Sequence, residues 1–219
     1  MDLSTSVGLP QSIEEIYTQQ ADAARRKTTR QWELRAAQAQ AALRQDARDP
    51  ETYMELSRCL AKLYNYEEAV SVLEAGLGHC PDSERLHEMH ISLLGECNET
   101  RRAIDAAQEA LRIFPDNTWM RLKEALLLPI LYATEGEIQE YRRRFTAGLA
   151  RIVQEISLDT PRASSQALAA IAGHVNVALS YQAQDDRNLQ ACYGQFVHRI
   201  VAANYPEFTR PIPMPPPSP

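Results

Sequence analysis

The sequence predicts an all-α protein of paired helices, and three observations carry that expectation. Alanine, the best intrinsic helix former, is the commonest of the 219 residues at 30, whereas glycine occurs only 8 times. Of the 13 prolines, 7 lie between Pro206 and Pro219, so Pro10, Pro50, Pro81, Pro115, Pro129 and Pro161 alone punctuate the rest. The chain also matches itself at a shift of 34 residues, which puts Leu60 on Leu94, Ala69 on Ala103, Val70 on Ile104, Leu77 on Leu111 and Pro81-Asp82 on Pro115-Asp116.

That period is the period of tetratricopeptide helix pairs. The expected architecture is a right-handed tetratricopeptide-repeat superhelix, an α-solenoid of about ten helices with a proline-rich C-terminal tail. Residues 1–49 form N-terminal capping helices or a degenerate repeat, 50–132 the repeats proper, 133–204 long capping helices, and 205–219 a proline-rich linker or tail. Two repeats are clear, 50–83 and 84–117. Their register pairs Leu73 with Ala107 and Gly76 with Ala110, small residues that let paired helices approach closely. Leu60, Ala69, Leu73, Leu77, Leu94, Ala103 and Leu111 are the expected core.

The elements follow in order. Ser12 and Glu15 make a capping box, each side chain satisfying an orphan N–H at a helix start. No Gly or Pro interrupts Ser12 to Asp46, so helices of about 12–28 and 31–46 are free to merge. Further helices are expected near 50–63, 67–79, 83–95, 99–113 and 117–132, separated by Pro-Asp or by polar Asn and Glu. Thr134 and Glu137 form a second capping box, ahead of a stripe of Ile138, Tyr141, Phe145, Leu149, Ile152 and Ile156. Thr160-Pro161 opens the next helix with a cap and a first-turn proline, and Leu168, Ile171, Ala172, Val175 and Leu179 are read as its stripe. Asp185-Asp186 precedes a last helix with Leu189, Cys192, Tyr193, Phe196, Val197, Ile200 and Val201 on one face.

Composition narrows the function. A net charge of −6 lacks the basic footprint that nucleic acid requires. The longest apolar run, Ala125 to Ala133, is broken by Pro129 and too short to cross a bilayer; a cytoplasmic protein with no membrane partner is expected. Cys59, Cys80, Cys97 and Cys192 form no CxxC pair and read as reduced, buried thiols. His87 and His90, with Cys80 and Cys97 nearby, invite a zinc reading. In the repeat register, however, they fall on Tyr53 and Leu56, which are packing positions, and packing is favoured. No glycine-rich phosphate loop, GxSxG or HExxH occurs, Cys192 and His198 point to different faces or into the packed stripe, and Glu14-Glu15, Glu67-Glu68 and Asp185-Asp186 read as helix caps. No catalytic residue, metal or cofactor is expected. The Arg142-Arg143-Arg144 run reads most simply as the solvated back of an amphipathic helix, against a docking patch for an acidic partner or phosphate.

The C-terminal third carries a more specific signal. YRRRFTAGLARIV, the following SLDTP, LSYQAQDDRNLQACYGQFVHRIVAANYP and the closing PIPMPP resemble the end of the repeat region in bacterial, notably cyanobacterial, SPINDLY-type O-linked N-acetylglucosamine transferases, over roughly the last eighty residues. In that family the PMPP segment leads into a two-lobed nucleotide-sugar-binding domain. The resemblance therefore implies a non-catalytic module that selects or positions acceptor proteins for a domain beyond Pro219, and a chain cut at a domain boundary. Glu55 and Met89 stand where animal relatives carry an asparagine ladder that grips the acceptor backbone, a departure that puts this binding mode in doubt. Since first helices of such pairs line the concave face, Met54, Arg58, Lys62, Arg85, Glu88 and Ser92 are the candidate protein-binding residues, the three cations suited to an acidic peptide or chain-terminal carboxylate. A stand-alone adaptor or a homodimerisation scaffold is the alternative use of the same helices.

Overall fold

In a computed structural model of the chain, residues 13–208 are described, with side chains at residue 18 and from residue 26 onward. Ser12 and the tail beyond Phe208 lie outside these, as do the side chains of Glu14 and Glu15, so the Ser12–Glu15 capping box is outside the description. Every regular element among the described residues is helical: α1 (Ile13–Leu43), α2 (Pro50–Lys62), α3 (Tyr66–His79), α4 (Glu84–Glu96), α5 (Thr100–Ile113), α6 (Thr118–Leu126), α7 (Glu135–Glu155), α8 (Pro161–Ala172) and α9 (Arg187–Asn204), with 3-10 segments at Val177–Gln182 and Pro206–Phe208. The all-α, helix-pair class is the one expected. The chain forms two compact units, Met1–Cys80 and Pro81–Pro219.

In the first unit α1 runs unbroken, as the absence of Gly and Pro allows, and packs Ala36 and Ala39 into the core against α2. Asp49 caps α2 by accepting from the Glu51 N–H (3.1 Å), with Pro50 in the first turn. Helix α3 folds back on α2 and buries Ala69, Val70, Leu73 and Gly76. The buried Ser57 hydroxyl donates to the Ala69 carbonyl (3.0 Å). Tyr53 stacks on His79 with ring centroids 6.1 Å apart.

The second unit opens with the same design. Tyr64 (φ 64°) and Asn98 (φ 61°), 34 residues apart, both sit in the left-handed region at the turn between paired helices. Each turn is then closed in the same way. The Asn65 N–H donates to the Leu60 carbonyl and the Glu99 N–H to the Leu94 carbonyl, both at 2.9 Å. The second helices end alike: Cys80 donates to Gly76 and Phe114 to Ala110, both at 2.8 Å. Leu60, Ala69, Leu73, Leu94 and Ala103 are core residues as expected, while Leu77 and Leu111 are half-buried.

Three expectations are corrected. Helix α6 was expected to reach 132 but stops at Leu126, because Pro129 has no N–H for the ladder and its ring crowds the carbonyl one turn back. Residues 127–133 cross instead as irregular chain. Helix α8 ends at Ala172, before Val175, and its buried residues are Ser164, Ala167 and Ala170; of the expected stripe Leu179 is buried and Leu168 and Ile171 pack half-buried against the core, while Ala172 and Val175 are exposed. The small-residue face allows the close approach of α6 and α9 on either side. The arginine run is not a solvated back: only Arg143 is exposed. Arg142 Nη1 donates to Gln182 Oε1 (3.0 Å) and Asp186 Oδ1 (2.5 Å), and Nη2 to the Asp185 carbonyl (2.6 Å). Asp186 is thus an ion-pair partner, while Asp185 alone caps α9 by accepting from the Arg187 N–H (3.0 Å).

Arg144 does more. Its guanidinium donates to the Glu124 and Leu127 carbonyls, the acceptors freed where α6 stops. The chain beyond is held by Asn98, whose Oδ1 accepts from the N–H groups of Ile130 (2.8 Å) and Leu131 (3.1 Å) while Nδ2 donates to the Leu131 carbonyl (3.0 Å). The α7 stripe of Tyr141, Phe145, Leu149, Ile152 and Ile156 is buried as expected, with Ile138 half-buried at its start. Both sequence-read caps form: Glu137 and Ala163 N–H groups donate to Thr134 and Thr160 hydroxyls (3.2 and 3.1 Å). Glu137 reaches back to the Ala133 N–H (2.7 Å), one residue before the cap itself.

Helix α7 lies so close to α6 that a Cβ on Gly148 would fall on the Ala125 carbonyl, 3.0 Å from its carbon. Gly148→Ala therefore opposes a gain in helix propensity of up to ~1 kcal/mol with an overpacking cost of about 1–3 kcal/mol. The expected net result is a destabilisation, read as a lower urea midpoint at unchanged slope; a midpoint at or above wild type would show that α7 moves freely away from α6.

Candidate functional site

The sequence-read binding residues fall in both units. Met54 is only 2 % exposed and packs in the core of the first unit, beneath the surface that carries the exposed Arg58 and Lys62. Arg58 pairs with Glu55 (3.4 Å), which also meets Arg35 (2.5 Å), so this surface is an ion-pair network exposed to solvent. In the second unit Arg85 is exposed. Glu88 is half-buried and accepts from Asn117 Nδ2 (2.9 Å), as Glu84 does (2.7 Å). Ser92 lines a cleft.

That cleft has a volume of about 380 Å³. Ile91, Ser92, Gly95 and Glu96 of α4 form one wall, and Trp119, Lys123 and Leu126 of α6 form its floor. The third wall is the chain after α8, Gly173 to Ala178. Its lip is apolar and open to solvent: Val175 is 75 % exposed, Val177 57 % and Ile130 52 %. Such side chains clustered at a concavity mark a binding surface more strongly than the same residues scattered singly.

Two cationic or potentially cationic groups sit at the base. Lys123 Nζ donates to the Gly173 carbonyl (3.1 Å), one of the last acceptors of α8, and lies 5.1 Å from the centre of the Trp119 ring. Burial lowers its pKa, partly offset by Glu96. Among the described residues no carboxylate lies within ion-pairing distance of it. His174 is 9 % exposed, with its Nε2 at 2.8 Å from Asn176 Oδ1 and its ring 5.8 Å from that of Tyr193. Burial, and then the Lys123 charge, push its pKa down to about 4, against a smaller opposing effect of the Asn176 bond. The ring is therefore neutral at pH 7, with the Nε2 proton given to the asparagine oxygen. Asn176 Nδ2 is buried without a hydrogen-bond partner among the described residues.

Neither Lys123 nor His174 was singled out from sequence. The lysine sits in an ordinary amphipathic turn, and the histidine lies where a continuous helix was expected. The only available signal was Gly173, a helix stop just before a histidine.

The residues weighed for metal and catalytic chemistry are dispersed between packed and exposed positions. His87 Nε2 donates to the Pro81 carbonyl (2.9 Å) and the ring meets Phe114 edge-on, and His90 is buried. Among the described residues no three His, Cys, Asp or Glu side chains gather as a metal set. Cys59 and Cys80 are buried thiols, whereas Cys97 and Cys192 are only half-buried. His198 is exposed, away from the packed face of α9. Glu67 and Glu68 sit exposed in the first turn of α3. No described helix is long and apolar enough to cross a membrane.

No family model matches the chain, and no curated protein matches it. Two solved structures are similar in fold at low identity. A crystal structure of MamA aligns with a TM-score of 0.44 and 14 % identity over 92 % of this chain and 100 % of that one. A second, of MamA protein, gives 0.45 and 17 % over 90 % and 97 %. The resemblance of residues 138–217 to the transferase family thus rests on the quoted segments alone.

The cleft electrostatics make a sign-definite expectation. A histidine whose pKa is lowered on folding contributes stability that is fully present above its ordinary 6.5 and is lost as pH falls toward about 4. In a proton NMR titration the His174 ring should show a midpoint about two units below those of solvent-exposed histidines; a midpoint near 6.5 would mean that the ring is solvated.

Proposed function

We propose that this chain is a protein-interaction module with no catalytic centre of its own, and that its second unit takes an extended segment of a partner protein into the cleft between α4, α6 and residues 173–178. The observation that carries this reading is the open apolar lip of Val175, Val177 and Ile130 above a base of polar donors, an arrangement suited to an apolar side chain with a backbone or side-chain acceptor beside it. Of the sequence-read residues, Ser92 lines that cleft and Glu88 the adjoining groove with Asn117 and Trp119. The exposed Arg58, Lys62 and Arg85 are assigned to steering an acidic partner rather than to anchoring it.

The segments between residues 138 and 217 that resemble the transferase family support a finer reading, in which the partner is an acceptor protein presented for O-linked N-acetylglucosamine transfer by a longer parent enzyme. Sugar transfer needs donors for a pyrophosphate, usually at a glycine-rich turn or a helix N-terminus with a basic side chain. The described turns carry prolines, acids and polar caps, and the one glycine among them, Gly173, ends a helix rather than opening one.

Two measurements test these readings. Partners cross-linked to the wild-type chain in an extract and identified by mass spectrometry should be lost with Val177→Asp, at the cleft lip, and kept with Ile113→Asp, at an exposed site on α5; equal retention by both would remove the cleft from the binding surface. Calorimetry of the 219 residues with UDP should give no micromolar binding, and a micromolar isotherm would place part of a donor site within this chain.

A further inference from the structure

The wall formed by residues 173–178 differs from the other two. It is a strap, irregular chain from Gly173 to Asn176 that passes into the first turn of the 3-10 segment Val177–Gln182, where Leu179 is the buried anchor. Beyond Leu179 the chain is fixed, because Gln182 is buried and its Nε2 donates to the Tyr132 hydroxyl (2.7 Å) while its Oε1 accepts from Arg142. Before it, the chain is held by α8. Between these points Val175 and Val177 face solvent, so lifting the strap uncovers little apolar surface. Few bonds clasp it: the His174 N–H to the Ile171 carbonyl (3.1 Å), the Leu179 N–H to the Asn176 carbonyl (3.0 Å), the Ser180 hydroxyl to the Val177 carbonyl (2.6 Å), Lys123 to the Gly173 carbonyl, and the His174 ring to Asn176.

The only strap side chain that is both buried and titratable is His174. The charged or titratable groups facing it are Lys123 from α6 and Tyr193 from α9, with Glu96 of α4 across the cleft. None of these is a carboxylate in contact. The cation that pins the first residue of the strap is thus the one that opposes a second positive charge on the next residue.

We propose that residues 173–178 are a pH-operated strap over the cleft, closed while His174 is neutral and released when the ring is protonated beside Lys123. Release moves the imidazolium into water and removes one wall of the cleft, so mild acid opens the site to larger partner segments. The inference rests on the protein-binding reading only for this consequence, since the strap's motion is measured without a partner.

The coupling sets the size of the effect. A ring that titrates at about 4 when closed and at an ordinary 6.5 when released shifts the opening equilibrium on the order of 30-fold between pH 7.5 and pH 5.0. Hydrogen exchange of the full chain should therefore show the protection factors of the His174 and Leu179 amides falling roughly 30-fold over that range, after correction for intrinsic rates, with those of α4 to α7 unchanged. His174→Gln, which keeps a donor for Asn176 but cannot charge, should abolish the fall. Equal protection at both pH values, or the same fall in His174→Gln, overturns the proposal. Should the variant fold poorly, the wild-type chain decides the matter by NMR: the Leu179 amide must titrate with the midpoint of the His174 ring, and independent titration refutes the strap. A strap that opens while Val177→Asp leaves partner capture intact would sink the binding reading alone, and the reverse pattern would sink the strap alone.

Discussion

The second unit depends on how it handles the early end of α6. A helix that stops in the protein interior leaves carbonyls with no partner, and each costs about 1–3 kcal/mol if it stays unsatisfied. Pro129 imposes that stop and the Arg144 guanidinium answers it, donating to the Glu124 and Leu127 carbonyls from the middle of α7. For the guanidinium to arrive there, α7 must come close to α6, and Gly148, one turn further along, removes the Cβ that would prevent it. Glu124 is tied down a second time by Arg151 of the same helix. Burial acts against the Arg144 charge, but an arginine remains charged under these conditions and its carbonyl partners stabilise it.

The cleft is a consequence of that arrangement. With α6 short, the chain beyond Leu126 turns aside and is held by Asn98, which brings Ile130 to the cleft lip. With α8 stopping at Ala172, the remaining side is closed by irregular chain that leads into the 3-10 segment at Val177. A lysine and a histidine whose pKa values are both lowered by burial then share one low-dielectric space, where the histidine is neutral at pH 7. That proximity is what makes the wall, on our proposal, sensitive to protons.

The repeat register was legible because it is written in short-range geometry. Tyr64 and Asn98 take the same left-handed conformation 34 residues apart, and the bonds closing the two turns agree in length, since each depends on residues a few positions away. The caps at Thr134 and Thr160 were legible for the same reason. Period alone read only part of the stretch after Pro161: Leu168, Ile171 and Leu179 do pack in or against the core, but Ala172 and Val175 are exposed, and the most buried positions of α8 are Ser164, Ala167 and Ala170, where α6 and α9 approach.

By itself, then, the sequence determined that the chain is helical, where most helices begin and end, and that paired helices recur with a 34-residue period; all of these follow from backbone hydrogen bonding and side-chain periodicity within about one turn. Only the tertiary structure decided the fate of the arginine run. Its spacing on α7 is that of a solvated face, but Arg142 finds Asp186 more than forty residues later and Arg144 finds the exposed carbonyls of a helix about twenty residues earlier. It likewise placed His174 beside Lys123, fifty-one positions apart in the chain. A charged side chain is exposed or buried according to which orphan polar group it meets, and that is settled by the packing of helices distant in sequence.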